Sequence, residues 1–342
     1  MSWNAQPAVD LPRLAADDVV YLSTLQLPDA TLAQFGEVSP RLHVIQQPCT
    51  TADEVPEELW QKVQVLHTST ALPDPAIAPR LAWVQLDTAG VDHVVRHPIW
   101  TQTAIPVTTI AGVSGRWTAE YVVMMILAAS HRLPQMLELQ RTRTWPTFAE
   151  RWRRFLPADL NGATCTIVGF GQIGQAVGEL CVALGMDVVG IRRTAAESGP
   201  GGWVTVAGPD ELTAALGRSD YVVVAVPLTP ETRMLLDRSA IEAIKPGAML
   251  INVARGGIVD EAAVADALRS GQLSSAAMDV FAGEPLPDSS PLWDVPGLII
   301  SPHVSGFAGD YVSQVGALVT ENLRRYIDGK PLLNAASREA GY

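Results

Sequence analysis

The sequence has little cysteine: three in 342 residues, at Cys49, Cys165 and Cys181. A disulfide framework is excluded. The spacing matches no metal-ligand pattern, so no metal site is expected and the thiols read as reduced, as in a cytoplasmic protein. Positive charge is also scarce. Lys and Arg total 24 against 36 Asp and Glu, a formal net charge of −12, which sets nucleic acid aside as the main partner. Long apolar runs are missing. The longest, residues 121–129, falls well short of the roughly 20 residues a membrane span requires. Residues 1–10 carry neither a basic start nor the apolar core of a secretory signal. The expectation is a cytoplasmic protein without membrane contact. No internal repeat stands out.

Apolar side chains make up 48% of the chain, enough for sizeable cores, and its length exceeds one typical core, so two domains are expected. The stretch that organises them is 165–193. Residues 165–168, CTIV, suit a buried parallel strand. Gly169, Gly171 and Gly174 follow at G-x-G-x-x-G spacing, and Ile173, Val177, Leu180, Cys181 and Leu184 then recur at helical spacing. Gly185 closes that helix and 188–191 is a second strand. Strand, glycine turn, helix and strand in this order are the context that identifies a dinucleotide site. One glycine makes the turn, one lets the backbone approach a pyrophosphate, and one lets helix and strand pack closely. The helix start offers N–H groups and partial positive charge to the phosphates.

Four short strands are expected before residue 100, at 19–22, 42–45, 63–66 and 81–84, with a polar, partly helical stretch at 51–62. Gly90, in the Thr88-Ala89-Gly90-Val91-Asp92-His93 segment, frees backbone amides that could hold a carboxylate; taken alone the segment reads as a turn. Ser114 suits a helix cap, and 118–133 reads as one long helix, apolar on several sides. Residues 140–157 mix five arginines with Trp145, Phe148 and Trp152, which in an acidic chain reads as an arm against a partner subunit or a solvated connector. Strands and helices then alternate to residue 300, which predicts a parallel doubly wound sheet. A last helix at 310–327 has no strand to return to.

In such a sheet, ligands lie beyond the carboxyl ends of the strands. Arg255, Glu284 and His303 fall just after three of them. Each alone would pass as a solvated polar residue. Together they suit carbonyl reduction. A histidine can protonate the developing alkoxide. A carboxylate beside it favours the imidazolium. An arginine can grip a substrate carboxylate bidentately. His303 is therefore assigned as acid/base, Glu284 as its partner and Arg255 as substrate anchor.

The segment from Asn252 to Glu261, NVARGGIVDE, resembles a signature of the D-isomer-specific 2-hydroxyacid dehydrogenases. Residues 277–286, AMDVFAGEPL, resemble a second, and 301–306, SPHVSG, the segment that carries the histidine. Residues 226–232 and 88–93 fit as well, so the resemblance runs from about residue 63 to 327. It implies an α/β chain of two domains: a Rossmann-type doubly wound domain at 113–304, and a smaller flavodoxin-like substrate domain at 1–112 and 305–342, completed by the last helix. It implies the catalytic roles of Arg255, Glu284 and His303, substrate carboxylate contact at Gly90 and Val91, and nicotinamide contact at Asp279. Cofactor contacts are further expected from Gly169, Gly171, Gln172, Ile173, Gly174, Val226, Pro227, Thr232, Ala254 and Gly306. Family members are usually homodimers through the cofactor domain, which would place the 118–133 helix at the interface.

NAD-dependent Rossmann domains usually place a carboxylate after the second strand, where it holds the ribose 2′-OH. Here Arg192, Arg193 and Thr194 stand in its place. A carboxylate would repel a 2′-phosphate and arginines would attract one, so NADP(H) is the expected cofactor, with NAD(H) as the alternative. The expected activity is hydride transfer at C2 of a small 2-keto or D-2-hydroxy acid, as in glyoxylate/hydroxypyruvate reductases, with substrate between the domains. Two other readings fit the same motifs: an NAD(H)-dependent D-2-hydroxyacid or short-form phosphoglycerate dehydrogenase, and a dinucleotide-sensing protein like the transcriptional corepressors that resemble this family. Formate oxidation is not expected, because formate dehydrogenases of the superfamily carry Gln where Glu284 stands. With its last expected helix close to residue 342, the regulatory tail of many phosphoglycerate dehydrogenases is not expected.

Overall fold

The computed structural model describes residues 15, 17–193 and 204–342. The chain divides into two compact units. One comprises residues up to Ile110 together with Val312–Glu339; the other comprises Ala111–Tyr311 together with Ala340–Tyr342. The chain thus leaves the second unit at Tyr311 rather than at 304, and residues 340–342 pack with the second unit rather than the first.

Among the described residues, the first unit holds five parallel strands: β1 (Val19–Ser23), β2 (Leu42–Gln46), β3 (Val65–Thr68), β4 (Trp83–Leu86) and β5 (Val107–Thr108). Their order is β2-β1-β3-β4-β5, the flavodoxin-like arrangement. β3 and β4 begin two residues later than the sequence suggested, because Val63 and Leu81 join the core from the preceding loops. The polar, partly helical stretch expected over 51–62 divides at Pro56 into a 3-10 turn, Ala52–Glu54, and a short helix, Glu57–Trp60. The helix Tyr311–Ile327 completes this unit. It buries Val315, Val319 and Leu323, Gly316 admits Thr31 closely, and Tyr326 packs on Trp83 with ring centroids 5.6 Å apart.

Among the described residues, the second unit holds seven parallel strands: β6 (Thr164–Val168), β7 (Asp187–Ile191), β8 (Val204–Ala207), β9 (Tyr221–Val224), β10 (Ala248–Asn252), β11 (Leu273–Met278) and β12 (Leu298–Ile300). Their order, β12-β11-β10-β9-β6-β7-β8, reverses at β6 and β9. Alternate residues serve opposite faces. Val222 and Val224 of β9 join one core with Leu250 and Val264, while Tyr221 and Val223 join another with Val122, Ile126, Val177 and Cys181. That second core packs the Gly115–Ser130 helix against the Gln172–Ala183 helix.

The long helix expected over 118–133 ends at Ser130. Arg132 takes a left-handed φ of 60°, and a new helix, Leu133–Arg141, begins with Pro134 in its first turn, where the missing N–H breaks no helical bond. Ser114 stands at the cap position without a side-chain capping bond. Within the arginine- and aromatic-rich segment, Thr147 and Glu150 form a reciprocal capping box that starts a helix at Phe148–Arg154.

Candidate active site

The dinucleotide side of the site begins where β6 ends. Gly169 has φ +103°, and a Cβ there would sit 2.5 Å from the Ala225 carbonyl carbon. A Cβ on Gly174 would collide with the Gly169 carbonyl. These two glycines let the ends of β6 and β9 and the following helix close together. Gly171 differs: a Cβ there would meet nothing within 4 Å. It caps the Gln172–Ala183 helix with no side chain in the way, so open space faces a helix N-terminus, the cradle a pyrophosphate fills. Gln172 lies against Gly112, and Ile173 packs into the core beneath.

After β9, the loop from Val226 to Thr232 is folded onto itself. The Thr232 hydroxyl donates to the Pro227 carbonyl at 2.6 Å and accepts from the Thr229 N–H at 2.8 Å. Arg192 and Arg193 leave the end of β7 exposed. Arg193 lies over the Tyr342 ring, 5.2 Å from its centroid, and its Nη2 donates to the Tyr342 hydroxyl. Thr194 lies outside the described residues.

Register brings the polar residues to one edge of the sheet. Asn252, Met278 and Ile300 pair in line across β10, β11 and β12, so Arg255, Asp279, Glu284 and His303 all follow neighbouring strand ends. The Asn252 amide holds the turn after β10: its Nδ2 donates to the Arg255 carbonyl at 3.1 Å and its Oδ1 accepts from Ala254 N–H at 3.1 Å. Arg255 is half-buried, and its Nη1 donates to the Ala254 carbonyl at 2.8 Å. Gly256 joins this turn to the Glu284 loop, because its bare Cα leaves room for the Phe281–Ala282 peptide where a Cβ would stand.

Glu284 and His303 form the pair. His303 Nδ1 is 2.8 Å from Glu284 Oε2, with 48% of the imidazole and 35% of the carboxylate side chain exposed. A carboxylate only accepts, so Nδ1 carries the proton and Nε2 is the ring nitrogen that Glu284 does not engage. The other carboxylate oxygen, Oε1, accepts the Phe281 N–H at 2.9 Å, which fixes its direction. Glu261 holds the same loop from beneath by accepting the Ala282 N–H at 2.5 Å. Burial pushes the Glu261 carboxyl up, against that hydrogen bond, and the Glu284 charge adds to the rise.

His303 takes a left-handed φ of 55°, uncommon for a residue with a side chain. Asp279 holds it there. This buried residue accepts the His303 N–H on its carbonyl at 2.9 Å, the Val304 N–H and the Ser301 hydroxyl on Oδ1 at 2.9 and 2.5 Å, and the Ser305 N–H on Oδ2 at 2.9 Å. Tyr121 extends the network, its hydroxyl 2.5 Å from Ser301 Oγ. Burial pushes its phenol up to about 12, opposed by that hydrogen bond and helped by the Asp279 charge. Gly306 follows in the same loop, close to Ser114.

In the first unit, the Thr88 hydroxyl donates to the Gly90 carbonyl at 2.7 Å and Val91 is buried. His93 Nε2 is 2.9 Å from the Ser69 carbonyl, which ties this turn to the loop after β3.

Residues 123–305 match the model of the D-isomer specific 2-hydroxyacid dehydrogenase NAD-binding domain. The chain belongs to the D-isomer-specific 2-hydroxyacid dehydrogenases. Among its relatives, a D-3-phosphoglycerate dehydrogenase of Mycobacterium tuberculosis is 33% identical over 276 residues, 78% of this chain and 49% of that protein. The chain thus spans about half the length of the phosphoglycerate dehydrogenases it matches. A family structure from Xanthobacter autotrophicus in complex with NADPH and MES superposes with TM-score 0.81 and 29% identity, covering 96% of this chain and all of that one. An NADPH-dependent glyoxylate/hydroxypyruvate reductase of Sinorhizobium meliloti in complex with NADP and sulfate gives TM-score 0.79 and 26% identity, covering 95% of this chain and all of that one.

Within this dehydrogenase-family fold, sequence reasoning missed Tyr121, Ser301 and Tyr342. Tyr121 and Ser301 are 180 positions apart, and Arg193 and Tyr342 are 149 apart, so no local pattern links them. Among the described residues, no helix is long and apolar enough to cross a membrane.

Proposed function

We propose that this chain is an NADPH-dependent reductase of a small 2-keto acid, of the glyoxylate/hydroxypyruvate type. The observation that carries the reading is the His303–Glu284 pair at 2.8 Å, joined through Gly256 to the turn that bears Arg255. A bound nicotinamide dinucleotide supplies the hydride that reaches C2. His303 gives its Nε2 proton to the oxygen at which charge develops, and Glu284 supports the imidazolium before transfer. Arg255 takes the substrate carboxylate bidentately and polarises the neighbouring carbonyl. In the first unit, the Gly90–Val91 turn is assigned to carboxylate contact.

The glycine cradle at residues 169–174 fits a dinucleotide pyrophosphate, and Val226, Pro227, Thr232 and Ala254 are assigned to the rest of its groove. Arg192 and Arg193 support NADP(H) over NAD(H), because each offers a 2′-phosphate a permanent positive charge. The NADPH and NADP complexes of the two family structures support the same choice. We further assign the protein to the cytoplasm and to a homodimer. Trp145, Phe148 and Trp152 are 85%, 70% and 63% exposed, an apolar surface on the expected arm that a second copy would cover.

The test is a matrix of initial rates: NADPH and NADH, each with glyoxylate, hydroxypyruvate, pyruvate, phenylpyruvate and 3-phosphohydroxypyruvate. Faster turnover with NADPH on glyoxylate or hydroxypyruvate is expected. Preference for NADH with 3-phosphohydroxypyruvate would replace the reading with a phosphoglycerate dehydrogenase. Cofactor binding with no turnover on any acid would replace it with a nucleotide sensor.

A further inference from the structure

Tyr342 lies far in sequence from every motif of the cofactor site, yet it packs on the residue assigned to the cofactor's 2′-phosphate. The Arg193 guanidinium stands 5.2 Å from the centroid of its ring, and Nη2 donates to its hydroxyl. Gly341, at φ +75°, brings the chain against Thr229, with 3.8 Å between an added Cβ and the Thr229 methyl. Thr229 is fixed by Thr232 in the loop after β9. The same loop presents Glu231, whose carboxyl is held below its ordinary value by hydrogen bonds from Thr229 and its own N–H, and then by the Arg193 charge. Residues 340–342 therefore lie between the end of β7 and the loop after β9. Those two segments flank the adenosine half of a dinucleotide in a sheet of this order.

We propose that Tyr342 is a specificity-determining positioning residue: it holds the Arg193 guanidinium in the place where a 2′-phosphate is read. This rests on the NADP(H) reading above and adds the residue that makes Arg193 effective. An arginine at an exposed strand end loses side-chain entropy when it binds a phosphate. The Tyr342 ring removes part of that loss beforehand through a cation–π contact. The hydroxyl occupies one N–H of the five a guanidinium carries, which leaves the others for phosphate oxygens.

Titration of the full-length protein with NADPH, NADH and 2′,5′-ADP, followed by cofactor fluorescence and competition, tests the assignment in Tyr342→Ala, Tyr342→Phe and Arg193→Ala. Tyr342→Ala is expected to weaken NADPH and 2′,5′-ADP binding by about three- to tenfold, the range of an exposed to partly shielded cation–π contact. NADH affinity and kcat at saturating NADPH should stay unchanged, and Tyr342→Phe should fall between Ala and the parent. Equal weakening of NADPH and NADH would make Tyr342 a general cover of the adenosine and overturn the proposal. An unchanged NADPH to NADH ratio in Tyr342→Ala, together with its collapse in Arg193→Ala, would remove Tyr342 and leave the NADP(H) reading standing. A parent protein without NADPH preference, indifferent to Arg193→Ala, would remove that reading and the role of Tyr342 with it.

Discussion

Each of the two sheets carries a histidine close to a carboxylate, and the two pairs are opposites. His67, on β3 of the five-stranded sheet, is fully buried. Its Nδ1 is 2.7 Å from the Tyr21 hydroxyl, while its Nε2 stands 3.6 Å from Asp87, too far for a hydrogen bond. Burial, and then the Asp87 charge, push the Tyr21 phenol well above its ordinary value. His303 lies in a loop beyond β12 of the seven-stranded sheet, half-exposed, with Glu284 at 2.8 Å. A carboxylate nearby is thus not enough to suit a histidine to the acid role proposed for His303. What sets His303 apart from His67 is a half-exposed ring and a partner whose own direction is fixed by the Phe281 N–H.

Substitution separates the two. His303→Ala is expected to lower kcat by about two to four orders of magnitude, as removal of a positioned acid/base does, with little change in thermal midpoint. Single-turnover rates and melts of the same sample check this; near-normal turnover would return the role to another residue. His67→Ala should do the reverse. It strands the buried Tyr21 hydroxyl and opens a cavity, at a cost of about 2–4 kcal/mol read from urea unfolding, while the folded fraction keeps its kcat. The smallest effect is expected at Tyr121. Its phenol titrates at about 12 in the fold against an ordinary 10, so the folded state binds that proton more tightly. Its contribution to stability is whole below pH 10 and is lost as pH climbs toward 12. Tyr121→Phe should flatten the alkaline decline in melting temperature over that interval; an unchanged slope would assign the decline to other groups.

Much of the seven-stranded sheet was legible in the sequence because its signals are local. The three glycines sit within six residues, and β6, β7, β10 and β12 are short apolar runs ended by turn residues. The residues proposed as catalytic were legible through their place after strand ends and through the family-like segments around them, since nothing in residues 255, 284 or 303 alone distinguishes them from solvated polar groups. Other features were hidden for physical reasons. Apolar spacing continues through residues 131–133, so the break at Arg132 shows only in its backbone, and Pro134 reads as a stop where it is the first turn of the next helix. β5 is two residues long and β8 follows a stretch rich in glycine, and neither offers a period to read. The bonds that the Asp279 carboxylate makes with Ser301, Val304 and Ser305 were hidden too, because they need β11 and β12 already side by side.

The contacts of Asp279 with His303, Val304 and Ser305 all run to backbone N–H groups. Every residue but proline owns such a group. The path of the loop is therefore set by one buried residue, through its main-chain carbonyl and its carboxylate together, and the bonds that hold it ask nothing of the side chains at 304 and 305.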